Sequence, residues 1–106
     1  MFARIVKSNL KANRTTDFNE KIEKQILPLL RKAKGFQDEI TFAGPSGTEM
    51  VSISIWDNKE NAEAYNGQTY PEVLKALANV IEGIPHVKTY EVTSSTLQKL
   101  APQATV

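Results

Sequence analysis

Asn61, Tyr65 and Tyr70 are the residues of this sequence whose types and spacing could do chemistry. Asn61 and Tyr65 lie opposite the charged side chains of one predicted helix, so we expect both to face the interior. A buried amide or phenol needs a hydrogen-bond partner, and an unsatisfied group costs about 1–3 kcal/mol. Tyr70 follows at a break between helices and could add a third polar group. A bound polar ligand would satisfy these groups; alternatively, the tyrosines are core residues and Asn61 supports the helix start.

Three further residues, Asn9, Phe42 and Trp56, are candidates for contacting a substrate. Asn9 ends the first predicted strand and could place its amide at a pocket mouth, although asparagine is also common where strands give way to turns. Phe42 is expected in the gap between helices and sheet. Trp56 is interpreted first as structural, because truncating a buried tryptophan costs about 3–5 kcal/mol. His86 follows Pro85 at a strand start, where a surface or packing role is favoured over acid–base chemistry.

The composition excludes several classes of site. The chain has no cysteine, so disulfides, thiolate nucleophiles, zinc–thiolate sites and iron–sulfur clusters are excluded within it. A single histidine rules out a His-rich metal centre, and we expect no metal, although counting alone does not exclude a carboxylate site. The net charge is +1, and no run of basic residues provides the field that nucleic acid requires. Nucleic acid is therefore not an expected partner.

The start of the chain shows no targeting or membrane segment. Arg4 and Lys7 interrupt residues 1–10, which therefore lack the apolar stretch of a secretory signal. No segment approaches the roughly 20 apolar residues that cross a bilayer. We expect a cytoplasmic protein without a membrane partner.

Four segments have the properties of strands. Residues 2–10, 36–43, 48–56 and 86–93 contain alternating or β-branched side chains. Residues 44–47, Gly-Pro-Ser-Gly, form a turn sequence that joins the second and third of these strands as a hairpin.

Helical patterns occupy the remaining connections. The predicted helices span residues 17–34, 58–67 and 70–84. Asp17 resembles the N-cap of the first helix, and Pro28 within it predicts a bend. Asn58 caps the second helix, while Gly83 and Pro85 end the third.

The element order is β-α-β-β-α-β, which predicts an α+β fold of the ferredoxin-like type with a four-stranded antiparallel sheet. Both helical connections then lie on the same face of the sheet. We assign residues 1–93 to this single domain. Residues 94–106 form a C-terminal tail, in which Leu97 and Leu100 could reach across to a dimer partner.

The predicted sheet has helices for only one of its two faces. Val51, Ile53 and Ile55 form the most aliphatic row and are expected under the helices. The expected members of the uncovered face are Met50, Ser52, Ser54 and Trp56, with Val6, Ser8, Thr41, Val87 and Thr89 beside them and Arg4, Glu39 and Glu91 as charged exceptions. So few charges indicate that another surface covers this face, and we expect a homodimer that closes into a dimeric α+β barrel. The alternative is a monomer with a weakly charged face.

Several local features accompany this order of elements. They are Gly35-Phe36 before the second strand, Trp56 at the end of the third, the helix opening Asp57-Asn58-Lys59-Glu60-Asn61-Ala62, and Tyr65 within that helix. Together, over about residues 3–93, they resemble the antibiotic biosynthesis monooxygenase domain family within the dimeric α+β barrel superfamily.

The resemblance implies a homodimer and an oxidoreductase that oxidises phenols or quinols with molecular oxygen, using neither metal nor flavin. An electron-rich, deprotonated aromatic substrate would itself supply the electron to oxygen, while the protein orients it, stabilises charge and excludes water. By this resemblance, Asn61, Tyr65 and Tyr70 are the expected catalytic residues. The competing hypothesis is a non-catalytic homodimer that binds a small apolar ligand or serves as an interaction module.

Overall fold

The alternating segments of the chain build one four-stranded antiparallel sheet in the computed structural model, which describes residues 1–96. The strands are β1 (Phe2–Leu10), β2 (Phe36–Ala43), β3 (Glu49–Trp56) and β4 (Ile81–Glu91). Their order across the sheet is β2-β3-β1-β4, with every neighbouring pair antiparallel. The predicted ferredoxin-like arrangement is confirmed.

Helices fill the two long connections between strands. They are α1 (Thr15–Lys21), a π-helical segment (Ile22–Ile26), α2 (Leu27–Lys32), α3 (Lys59–Gln68) and α4 (Tyr70–Leu77). Pro28 lies in the first turn of α2, directly after the π-helical segment. A proline has no N–H for the carbonyl four residues earlier and crowds that carbonyl. The wider π-helical turn accommodates this missing bond within an otherwise continuous helix.

Only some of the predicted caps occur. Asn58 caps α3 as predicted, because its Oδ1 accepts a hydrogen bond from the backbone N–H of Asn61 at 2.8 Å. The prediction for Asp17 was wrong: α1 begins at Thr15 without a side-chain cap. The Asp17 carboxylate instead forms an exposed ion pair with Arg14 at 2.9 Å.

The helices pack on one face of the sheet and enclose a single core. Its buried members are Phe2, Leu10, Phe18, Ile26, Leu30, Met50, Trp56, Ala62, Tyr65, Val73, Leu77, Val80 and Ile81. Trp56 is completely buried and Met50 nearly so. These two large side chains show which row of β3 lies under the helices.

The prediction of the two sheet faces was therefore wrong. Met50, Ser54 and Trp56 lie under the helices, whereas Val51, Ile53 and Ile55 lie on the open face and are partly exposed. Between residues 50 and 56 both rows of β3 lack charge, so the alternation of side chains there fixes the two sets without deciding which is covered. Because paired residues point to the same face, the correction applies to β1, β2 and β4 as well. The residues on the helix-covered side of these strands include Arg4, Val6, Ser8, Glu39, Thr41, Val87, Thr89 and Glu91.

The fourth strand also begins earlier than predicted. α4 ends at Leu77, and β4 starts at Ile81 rather than at His86. Residues 83–85 were expected to end a helix, but they form an irregularity in the pairing of β4 with β1. Gly83 has a φ of 67°, which suits such a bulge.

Within residues 1–96, no helix is long and apolar enough to cross a membrane. The predicted contact of Leu97 and Leu100 with a dimer partner lies outside the described residues.

Candidate functional site

Four aromatic side chains form a continuous row from the sheet to the helices. The ring centroid of Trp56 lies 5.7 Å from that of Phe36 and 4.9 Å from that of Tyr65. Tyr65 lies in turn 6.4 Å from Tyr70. Tyr65 is on α3, where it shares a buried face with Ala62, and Tyr70 opens α4 immediately before Pro71. The break between α3 and α4 thus brings two phenols together above the sheet.

Arg4 extends from β1 into this aromatic row. Its side chain is only 3% exposed. Its guanidinium carbon lies 4.1 Å from the ring centroid of Tyr70 and 5.2 Å from that of Tyr65. Arg4 Nη2 donates a hydrogen bond of 2.7 Å to Asn66 Oδ1 on α3, whereas the buried Nε has no partner among residues 1–96. A buried positive charge therefore lies against both phenol rings.

A cavity lies between this cluster and the sheet. Its volume is about 50 Å³, counted as the space that the centre of a water molecule can reach. Its polar lining consists of Arg4, Ser8, Glu39, Ser52, Ser54, Tyr65 and Tyr70, and its apolar lining of Val6, Phe18, Ile22, Ile26, Leu30, Val73, Leu77 and Pro85. Mostly apolar walls with a few converging polar groups are typical of a small-molecule site.

Both phenols of the cavity are held in their protonated form. Burial raises the pKa of Tyr65 to about 12, and the positive charge of Arg4 opposes this increase by a smaller amount. Burial also raises the pKa of Tyr70, again against a smaller opposing effect of Arg4. The Tyr70 hydroxyl is buried and has no hydrogen-bond partner within the described part of the chain. Near neutral pH, Tyr70 can therefore donate its O–H to a molecule in the cavity.

The sheet supplies a polar floor to the cavity. Glu39 on β2, Ser54 on β3 and Arg4 on β1 are cross-strand neighbours in one row. Trp56 Nε1 donates to Ser54 Oγ at 2.9 Å, and Ser54 Oγ donates weakly to the backbone carbonyl of Arg4 at 3.5 Å. The tryptophan and serine are thereby fixed beneath the charged groups.

Among residues 1–96, Glu39 is the only carboxylate that lines the cavity. Its Oε2 accepts a hydrogen bond of 2.5 Å from Thr41 Oγ1, and the Thr41 and Ser52 hydroxyls lie 3.0 Å apart. Thr41 gives its single hydroxyl hydrogen to Glu39, so Ser52 is the donor in the second contact. Burial raises the pKa of Glu39, and the bond from Thr41 lowers it by less.

Asn61 does not line the cavity, unlike Tyr65 and Tyr70. Its Nδ2 donates to Asp57 Oδ1 at 2.8 Å. Gly35 packs closely against the same pair: a Cβ at this position would overlap with Asp57 Oδ1 and Asn61 Nδ2. Asn61 and Tyr65 do border a shared surface groove between α2 and α3. The amide of Asn61 thus bonds within the start of α3, and the Asp57 N–H links this segment to the loop before β2 by donating to the Gly35 carbonyl at 2.9 Å.

The three residues expected to contact a substrate lie elsewhere. Asn9 is exposed at the end of β1, and Phe42 is 48% exposed on the open face of the sheet. Trp56 is buried behind Tyr65 and does not border the cavity. His86 is exposed on the open face, where it pairs with Lys7.

Sequence reasoning missed Arg4 and Glu39 as site residues because it placed their row on the wrong face. A usable signal was present in the pairing. Arg4, Glu39 and Glu91 are the charged members of a predicted sheet face whose other residues are small, neutral or apolar, and the same face contains Trp56, whose volume requires the core.

No group of three or more metal-binding side chains of the His, Cys, Asp or Glu type occurs within residues 1–96.

No family model matches this sequence, and no curated protein matches it. Solved structures do resemble it. The monooxygenase from the gene ActVA-Orf6 of Streptomyces coelicolor, solved with nanaomycin D, has 19% sequence identity and a TM-score of 0.75, with 91% of this chain and 90% of that chain covered.

Two other structures show a similar likeness. SnoaB, a cofactor-independent oxygenase from Streptomyces nogalater, has 10% identity and a TM-score of 0.73, with 90% of this chain and 95% of that chain covered. A "putative antibiotic biosynthesis monooxygenase" from Nitrosomonas europaea has 17% identity and a TM-score of 0.73, with 89% of this chain and 100% of that chain covered. The chain therefore has the fold of antibiotic biosynthesis monooxygenases, and the resemblance drawn from its sequence is confirmed at the level of fold.

Proposed function

We propose that this chain is a cofactor-independent monooxygenase that acts on a small aromatic or quinol-type compound. The observation that carries the proposal is a pair of phenols beside an apolar cavity: the buried Tyr65, and Tyr70, which is partly buried and has a buried hydroxyl. The shared fold supports it, because solved proteins of this fold include a cofactor-independent oxygenase and a monooxygenase. As part of the proposal we retain the cytoplasmic location expected from the sequence.

The proposed reaction balances without an external reductant. A hydroxyaromatic that has lost its hydroxyl proton gives one electron to O₂, and the resulting aryloxyl radical and superoxide combine to form a bond between a ring carbon and oxygen. Protonation gives a hydroperoxide. Loss of the hydrogen on that carbon as a proton, with cleavage of the O–O bond, then gives a quinone and water. The substrate supplies all four electrons, and each product receives one atom of O₂.

The side chains of the cavity suit this sequence of steps. The hydroxyl of Tyr70 has no partner within residues 1–96 and can donate to the oxygen anion that forms on the ring. Tyr65 stays protonated because of its raised pKa, and its ring forms one wall. The apolar side chains from the helices exclude water that would otherwise solvate the anion. Asn61, predicted as catalytic, is proposed to act by positioning α3 through its bond to Asp57.

The test is oxygen consumption by purified, metal-free protein over a panel of naphthols and hydroquinones. We expect turnover by the unaltered protein and a loss of about a hundredfold in the Tyr70→Phe variant, the effect typical of removing one donor to a developing oxygen anion. Tyr65→Phe should also reduce the rate. Tyr90→Phe is the matched control, because Tyr90 is half exposed on the opposite face of the sheet. Equal rates in all four proteins would remove the catalytic assignment.

A second candidate function is a non-catalytic homodimer that binds a small ligand. Two observations favour it: the amide of Asn61 is already bonded to Asp57, and the cavity is small, at about 50 Å³. This alternative predicts that an aromatic ligand is retained by the protein without any uptake of oxygen.

We also propose that the chain forms a homodimer through the open face of its sheet, giving the dimeric barrel expected from the sequence. Ile5, Ile53 and Ile40 lie side by side across β1, β3 and β2 on that face. Ile40 is 53% exposed and Tyr90 50%. An aliphatic row of this kind is typical of a surface that a second subunit covers.

A further inference from the structure

Arg4 is the one charged residue that is buried in the described part of the chain. Burying a guanidinium removes its hydration and is tolerated when acceptors replace the lost water. Arg4 obtains one such acceptor, Asn66 Oδ1, and two aromatic ring faces. Its Nε–H donates to no atom of residues 1–96. The positive charge is therefore incompletely compensated by the protein.

Within residues 1–96, no carboxylate forms an ion pair with Arg4. Glu39 lines the same cavity, but strand β3 lies between it and Arg4. At the usual spacing of strands, the backbones of the two residues are about 10 Å apart. Tyr65 and Tyr70 are the other titratable groups of the cavity, and both are protonated and neutral. The cavity thus has a positive end at Arg4 and a carboxyl group towards β2.

We propose that the cavity binds its aromatic ligand as a monoanion, with an ionised oxygen accepting a hydrogen bond from Arg4 Nε. The inference rests on the proposed function, in which the substrate is already deprotonated, and it identifies Arg4 as the group that holds the ionised oxygen. A charge-assisted bond to a guanidinium is among the stronger hydrogen bonds in proteins. An aromatic ring next to the ionised oxygen would lie among the side chains of Phe18, Tyr65 and Tyr70.

The carboxyl of Glu39 explains why one negative charge is preferred over two. A ligand that reaches from Arg4 across Ser54 towards β2 approaches Glu39, which would repel a second anionic group when ionised. A neutral ligand, by contrast, leaves Arg4 uncompensated. Carboxylates, phenolates and the enolates of hydroxyquinones share the required chemistry, a planar ring that carries one ionised oxygen.

The experiment measures binding calorimetrically in anaerobic buffer, with ligands chosen by charge. The pairs are 2-naphthoate with 2-naphthamide and the smaller benzoate with benzamide; 2-hydroxy-1,4-naphthoquinone, which is ionised at neutral pH, represents an enolate. We expect an anion to bind the unaltered protein at least about tenfold more tightly than its amide. Arg4→Met should remove that preference and leave amide binding within about twofold. Arg14→Met is the control, because it removes an exposed arginine outside the cavity.

Tighter binding of naphthoate or benzoate than of its amide supports the proposal. Whichever of naphthoate and the hydroxyquinone binds more tightly identifies the preferred ionised group. Equal binding of acid and amide, an unchanged preference in Arg4→Met, or no binding of any anion at millimolar concentration would overturn it. If Arg4→Met does not fold, the comparison of acid with amide on the unaltered protein still decides. Anion binding, together with no oxygen uptake over the panel of naphthols and hydroquinones, would refute the proposed oxygenase and leave this inference standing.

Discussion

The two faces of the sheet differ in what they expose and in what covers them. Beneath the helices, Arg4, Ser54 and Glu39 form a polar row next to the large ring of Trp56. On the open face, the corresponding row is the isoleucine triplet Ile5, Ile53 and Ile40. Between these two rows, polarity is thus greater on the covered face, the reverse of the usual pattern of a sheet with one solvated side.

This difference assigns separate tasks to the two faces. Polar groups under the helices are shielded from water, and their charges and hydrogen bonds therefore act more strongly on a ligand. Aliphatic side chains on the open face offer area for association without specific chemistry. A substitution should therefore have a different consequence on each face, and four measurements test this.

The largest effect is expected for Trp56→Ala, because Trp56 is completely buried and contacts both Phe36 and Tyr65. Its truncation should lower the free energy of unfolding by about 3–5 kcal/mol, measured by urea denaturation. Ile55→Ala, one residue earlier and on the opposite face, is the matched control and should lower it by less than half as much. Equal losses for the two variants would show that the faces are not distinguished in this way.

The next effect concerns association through the open face. Ile53→Lys places a charge at the centre of the isoleucine triplet, and it should weaken the proposed homodimer by about a hundredfold or more, since a buried unpaired charge is unfavourable. Sedimentation at several protein concentrations measures the change. Ala43→Lys, at an exposed position at the end of β2, should leave the dimer intact. A single-chain mass for the unaltered protein at micromolar concentration would refute the dimer.

A smaller effect should follow from the carboxyl group on the covered face. Burial raises the pKa of Glu39, so its ionisation disfavours the folded state. The stability that Glu39 contributes is therefore fully present below the pKa that it has in the unfolded chain. This stability is lost as the pH rises through the higher pKa that Glu39 has in the folded protein.

Glu39→Gln should accordingly gain stability relative to the unaltered protein as the pH rises from about 4 to about 8. The gain should be small because Glu39 is only half buried. Urea denaturation at both pH values measures it, with Glu60→Gln on the exposed side of α3 for comparison. A relative stability that falls over this range would contradict the assignment of Glu39 to the covered face.

Local signals in the sequence were sufficient to predict the order of the elements. The Asn58 cap of α3 is a contact between residues close in sequence, as is the turn in which Gly47 N–H bonds to the Gly44 carbonyl. Such contacts depend on a few neighbouring residue types. Residues 83–85 misled the prediction because a glycine and a proline end helices and also occur in strand bulges, and only the pairing with β1 distinguishes the two.

The candidate site was predicted only in part, for a different physical reason. Tyr65 was predicted correctly to face the interior, because helical periodicity fixes the orientation of a residue relative to its charged neighbours. The position of Arg4 depends on which face of the sheet the helices cover, and that choice is made by long-range packing around Trp56 and Met50. The pattern of residues 50–56 on β3, with two uncharged rows, does not contain this information.

The most direct test of the chemistry on the covered face is the fate of the two atoms of ¹⁸O₂. The unaltered, metal-free protein should convert a hydroxyaromatic that binds in the cavity to a quinone that contains one ¹⁸O atom, with the other atom in water. Mass spectrometry of the product measures this, with Tyr90→Phe behaving like the unaltered protein and Tyr70→Phe forming far less product. A product without ¹⁸O, or equal yields from Tyr70→Phe and Tyr90→Phe, would contradict the account.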